Sequence, residues 1–178
     1  MRRPRFPLIA AAVLSIAVPV AAQRNRVVVV VPGQLTQVLS DTMGTPYEVP
    51  FPVARVYQAL LGVYAELKIP TEVKDSGAGQ LGSQMFYRQN TLGGKQISTY
   101  LSCGDGITGP NADYYRVYMN IWSTLVPKND HAVVLRTAYL AGAVNVSEGS
   151  RQPMPCESTG RLEYRIQQML LKKLTTGS

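Results

Sequence analysis

Residues 114–126 alternate between two kinds of side chain: Tyr115, Val117, Met119, Ile121 and Leu125 fall on one side, and Tyr114, Arg116, Tyr118, Asn120, Trp122 and Thr124 on the other. A period of two belongs to a strand with one buried face and one half-exposed face, and a helix does not present it. Pro127-Lys128-Asn129-Asp130 then reads as a turn, and residues 132–145 as the returning strand. The centre of the protein is therefore expected to be a long antiparallel hairpin. Such a one-sided sheet has to bury its apolar face under another layer.

Two segments can supply that layer. Val53, Val56, Tyr57, Leu60, Val63, Tyr64 and Leu67 recur at spacings of three and four between Pro52 and Pro70, which predicts a helix opened by the first proline and closed by the second. Leu162, Ile166, Met169, Leu170 and Leu174 repeat the pattern near the C-terminus, with Thr159 or Gly160 as cap and Glu163 placed to favour the helix dipole. Short runs at 72–74, 84–89 and 97–103, separated by glycine-rich turns, read as additional antiparallel strands. The valine-rich run at 27–31 predicts a strand or an extended arm, and residues 34–49 a linker with a short strand at 47–49. The expected fold is α+β: an antiparallel meander of four to six strands with an N-terminal and a C-terminal helix on one face. A chain of 178 residues accommodates one such domain, at 47–178, behind an extended arm at 23–46.

The first 22 residues read differently. Arg2, Arg3 and Arg5 precede an apolar run at 8–18 that is too short to span a bilayer, and Val20-Ala21-Ala22 offers the small residues that a signal peptidase reads. This is the pattern of an export signal cleaved after Ala22. Its removal leaves 15 basic residues against 11 acidic, a formal net charge of +4, with no basic run longer than Lys172-Lys173. Nucleic acid is not an expected partner. In an oxidising compartment Cys103 and Cys156, the only cysteines, are expected to pair. Closing that loop would stabilise the fold by about 4 kcal/mol in the chain-entropy picture.

One histidine and two cysteines remove the common zinc sites, and neither a metal nor a cofactor is expected. Gly77-Ala78-Gly79-Gln80-Leu81-Gly82 spells a dinucleotide fingerprint, but a strand follows it where phosphate binding needs a helix N-terminus. Asp105, Thr108, Asn111 and Asp113 gather oxygen donors on one loop without calcium-loop spacing, which is ordinary turn chemistry. Asp130-His131 is the sole carboxylate-histidine neighbour pair, and it falls in the hairpin turn with no nucleophile elbow in the chain. The chain is not expected to be an enzyme.

The polar side of the sheet carries the candidate site. Arg88, Tyr100, Tyr114, Arg116, Tyr118, Trp122 and Arg136, with Ser98, Ser102 and Asn120 among them, are expected to share that face. Rings give contact area at low entropic cost and guanidinium gives directional hydrogen bonds, a combination suited to capturing a protein or an envelope polymer. The alternative is a carrier, with a small apolar ligand held between sheet and C-terminal helix by Leu101, Val117, Met119, Leu135, Ile166 and Leu170.

The stretch Tyr47-Glu48-Val49-Pro50-Phe51-Pro52-Val53-Ala54-Arg55-Val56-Tyr57, leading into a helix, a meander and a terminal helix, resembles the helix-grip arrangement. At the level of fold it is similar to the globular domains of the C subunit of the outer-membrane β-barrel assembly machine. The likeness covers residues 47–174 and rests on element order. No lipidation cysteine follows the apolar run, so that subunit's anchoring is not implied. Ser102-Cys103-Gly104, together with Cys156-Glu157-Ser158-Thr159-Gly160-Arg161-Leu162-Glu163, resembles uncharacterised bacterial envelope proteins. That likeness implies a periplasmic or secreted location and no particular activity.

Overall fold

A computed structural model describes residues 27–29, 38–40, 44–147 and 154–176. The expected signal at 1–22 and most of the arm at 23–46 lie outside the described residues. Within the arm, β1 (Val27–Val29) and β2 (Val38–Ser40) pair antiparallel, the second where a linker is expected. β3 (Tyr47–Val49) is followed by α1 (Val53–Glu66), and then by β4 (Val73–Asp75), β5 (Gln80–Gly82) and β6 (Phe86–Arg88). β7 (Thr91–Leu92) and β8 (Lys95–Gln96) form a small hairpin that runs into a 3-10 turn at Ile97–Thr99 and then β9 (Leu101–Ser102). β10 (Asp105–Gly106) and β11 (Gly109–Pro110) form another hairpin, before the single turn α2 (Asn111–Tyr114). The chain closes with β12 (Arg116–Asn129), β13 (Ala132–Val144), β14 (Met154–Ser158) and α3 (Arg161–Thr176).

The main sheet is antiparallel, with eight strands: β4-β5-β12-β13-β14-β9, plus β3 on β13 and β6 on β12. The α+β class holds, with more and shorter strands than the sequence suggests. The hairpin of β12 and β13 is its spine. Strand pairing runs on to Asn129, past the expected start of the turn, with an irregularity between Pro127 and Asn129 that accommodates a residue unable to donate to the ladder. Asp130 and His131 alone make the turn.

The two helices cover one face of this sheet. Val56, Tyr57, Leu60, Val63 and Tyr64 of α1, and Leu162, Ile166, Leu170 and Leu174 of α3, are buried with Val117, Met119, Ile121, Leu125 and Leu135 in one cluster. Helix α1 stops without glycine. Lys68 takes φ 56°, its N–H reaches the Ala65 carbonyl, and the Ile69 N–H reaches Tyr64, which satisfies the last carbonyls and folds Ile69 back on the core. Lys173 of α3 lies across Gly62 and pairs with Glu66, and Arg55 donates to the Leu174 carbonyl at 2.8 Å.

One expectation about the sheet edge fails. Residues 97–103 do not form one strand, because their donors are used sideways: Ile97 N–H bonds to Asn90, Ser98 N–H to the Asp113 carboxylate and Tyr100 N–H back to Ile97. Cys156 lies in β14, the strand that runs into the last helix. The register that sets Glu157 opposite Ser102, carried one step further, sets Cys156 opposite Cys103. The two form a disulfide with Cα atoms 4.3 Å apart. No helix among the described residues is long and apolar enough to cross a membrane.

Candidate functional site

The uncovered face of the sheet is built on one side of β12. Arg116, Tyr118, Asn120, Trp122 and Thr124 point away from the helices, each partly buried by its neighbours. Cross-strand partners on β13 are Val144, Gly142, Leu140, Ala138 and Arg136 in that order, so both large rings lie beside small residues. On its other side Trp122 faces Gly82, where an added Cβ would sit 2.5 Å from the indole Cε3. The missing side chain is what lets the indole lie down on the sheet.

Between β5 and β6 the pairing slips. Gly82 is opposite Trp122 and Phe86 opposite Met119, four steps on one strand against three on the other. A bulge of this kind would leave a ladder donor unpaired, and Ser83 repairs it: its Oγ accepts the Ile121 N–H at 3.0 Å, while its own N–H donates to the Ile121 carbonyl. Because one residue of slip exchanges the faces, Leu81 and Phe86 both stay in the core and Tyr87 turns outward beside Tyr118. Their ring centroids are 5.9 Å apart, and the Arg116 guanidinium lies 4.9 Å above the Tyr87 ring. Arg116 and Arg136 both place a guanidinium on this face, and Arg136 has no ion pair among the described residues. The end of the face at Lys128 is neutralised by Glu48 at 2.6 Å.

This geometry places three of the expected residues off the face. Arg88 does not join the face: it stacks on Phe86 and donates to the carbonyls of Tyr87 and Lys68, tying β6 to the end of α1. Tyr100 is 2% exposed, with its hydroxyl held by Arg165, and belongs to the core. Tyr114 ends α2 instead of starting the strand, and its 53% exposed ring stands off the row. Arg116, Tyr118, Trp122 and Arg136 are on one face as expected. Tyr87 joins them there. Its signal is the odd spacing of the apolar pair Leu81 and Phe86, which regular alternation would put on opposite faces.

The covered face has its own polar device. Tyr64 of α1, Ser123 of β12 and Thr137 of β13 form a buried hydroxyl chain with both contacts at 2.8 Å. Burial pushes the Tyr64 hydroxyl well above the ordinary tyrosine range, the Ser123 contact opposing. Tyr139 is raised for the same reason, with Glu163 and then Tyr100 adding to it.

Other chemistries find little to work with. His131 is exposed in its turn, and no three of His, Cys, Asp and Glu gather at a metal-binding distance among the described residues. Gly79 takes φ 64° in a loop joining two strands, so the glycine motif leads into no helix. The six side chains of the carrier alternative are 0–1% exposed and sit within the continuous core. They line none of three open surface clefts. One, of 460 Å³, lies between Thr45 and the start of α3. The others, of 520 and 550 Å³, adjoin at Gln89.

No protein-family model matches this chain, and no curated protein matches it in sequence.

Proposed function

We propose that the protein is an exported, non-enzymatic component of a bacterial envelope, periplasmic or secreted, that captures a macromolecular partner on the uncovered sheet face. The observation that carries this reading is the row Tyr87, Tyr118 and Trp122, flanked by Arg116 and Arg136. Rings already held by neighbours lose little entropy on binding, and guanidinium groups direct it. The signal-like segment at 1–22 and the disulfide support export, since such bonds persist in oxidising compartments. The order of helix, meander and helix, which resembles helix-grip envelope domains, supports the same placement.

The test is site-specific photocrosslinking in the exporting cell. A photoreactive residue at Asn120, in the centre of the face, is expected to give a discrete adduct, whereas the same residue at Gln58 on the exposed side of α1 gives none. Arg116→Glu with Arg136→Glu should remove the adduct at unchanged thermal stability. Equal labelling from both positions, or an adduct indifferent to the charge reversal, would overturn the reading.

A further inference from the structure

Beside the aromatic row, at the end of β6, the fold builds a polar cleft of 550 Å³ lined by Gln89, Asn90, Gln96, Asp113 and Tyr114. Gln89 is also the wall of the adjoining 520 Å³ cleft, which contains Tyr87. Two rings therefore stand on either side of a polar stretch, Tyr87 at 54% exposure and Tyr114 at 53%. Both are held in place. Tyr87 lies between Arg116 and Tyr118, and the Tyr114 ring lies along Gly109, where an added Cβ would meet its Cε2 at 3.5 Å.

The polar groups between the rings each keep unused capacity. Gln89 spends its amide N–H on the Tyr114 carbonyl at 3.3 Å, leaving its Oε1. Asp113 spends Oδ1 on the Ser98 N–H at 2.8 Å, leaving Oδ2. The side-chain amides of Asn90 and Gln96 have no protein partner among the described residues. The backbone beneath them is fixed, because the Asn90 carbonyl accepts the Ile97 N–H at 2.9 Å. Planar amides and a carboxylate offer donors and acceptors at once, and tyrosine offers a flat apolar surface.

We infer that this cleft binds a neutral, hydroxyl-rich saccharide chain long enough to reach from Tyr114 to Tyr87. A sugar ring has an apolar C–H face that lies on an aromatic ring, and a rim of hydroxyls that each donate and accept. The lining matches both. Within the 550 Å³ cleft the one charged lining group is the Asp113 carboxylate, which disfavours an anionic ligand there, while Arg88 lines the adjoining cleft. The inference rests on the proposed envelope function and names the chemistry of its partner at the border of the same face.

The experiment is an NMR titration of the disulfide-bonded protein, following the side-chain amides of Gln89, Asn90 and Gln96. The probes are tetrasaccharides of β-1,4-linked N-acetylglucosamine, β-1,4-linked glucose and α-1,4-linked glucose, with an oligogalacturonate as anionic control. At least one neutral probe is expected to shift these amides. Tyr114→Ala and Asp113→Asn should each weaken that probe tenfold or more, with unchanged melting temperature. No response to any neutral probe, a response to the anionic control alone, or full affinity in both variants would overturn the inference. The Asn120 crosslink is scored separately. Its survival without saccharide binding removes the cleft and keeps the partner face, and its loss with saccharide binding intact does the reverse.

Discussion

The two faces of β12 are made by alternate residues of one strand, yet they are stabilised in different ways. On the covered side Val117, Met119, Ile121 and Leu125 are sealed beneath α1 and α3, and the polar members Ser123 and Thr137 survive there by bonding to each other and to Tyr64. On the open side nothing is sealed. The rings are held by glycine, by small cross-strand residues and by a stacked guanidinium. The first arrangement maximises burial, and the second keeps large side chains ordered while leaving them available.

Truncation should expose that difference most strongly. Leu135→Ala on the covered side is expected to cost about 3 kcal/mol through lost contacts and a cavity, whereas Leu140→Ala, five residues on and facing outward, should cost under ~1 kcal/mol. Urea unfolding of both variants checks this. Similar losses would mean that the open face is buried as deeply as the other.

A smaller effect probes how the indole is held. Gly82→Ala puts a methyl group into the ring of Trp122 and should cost about 1–3 kcal/mol as the ring lifts. Trp122 is the only tryptophan, so its emission is a direct readout and should move to longer wavelength. Unchanged emission would show that the ring is not seated on the glycine.

The mildest difference appears only in alkali. The folded-state pKa of Tyr64 lies above the unfolded value of 10.0, as does that of Tyr139. The contribution of these groups is thus complete below pH 10 and lost as pH rises beyond it. Melting temperature should hold to about pH 10 and then fall, by up to ~1.4 kcal/mol of stability per pH unit for each tyrosine. Tyr64→Phe should flatten that fall. An unchanged slope in that variant would place the responsible group elsewhere.

How much of this was legible in the sequence varies along the chain. The hairpin and both long helices were readable because their apolar periods run for many residues, and a core that buries so many periodic positions leaves few alternatives. Residues 83–115 were not. Their strands span two or three residues, and their conformation is set by single long-range bonds such as the Asp113 carboxylate to Ser98 N–H and Arg165 to Gly93. Tyr100 illustrates the limit, since only its tertiary contact with Arg165 reveals that it faces inward. The candidate face was half legible. Positions on β12 and β13 followed from alternation, but Arg88 and Tyr87 exchanged roles at a bulge that alternation does not reveal.

That bulge gives the length of one short segment an unusual weight. Substitutions on the open face alter one side chain at a time, but inserting a single residue between Gly82 and Phe86, with the bulge kept at one residue, would shift every pair after it by one. Tyr87 would move into the core, while Phe86 and Arg88 would come to the surface. Deleting one residue there would instead equalise the steps and leave Phe86 opposite Met119, so descendants of this chain can acquire a different outward chemistry through an insertion at Ser83, leaving the central hairpin untouched.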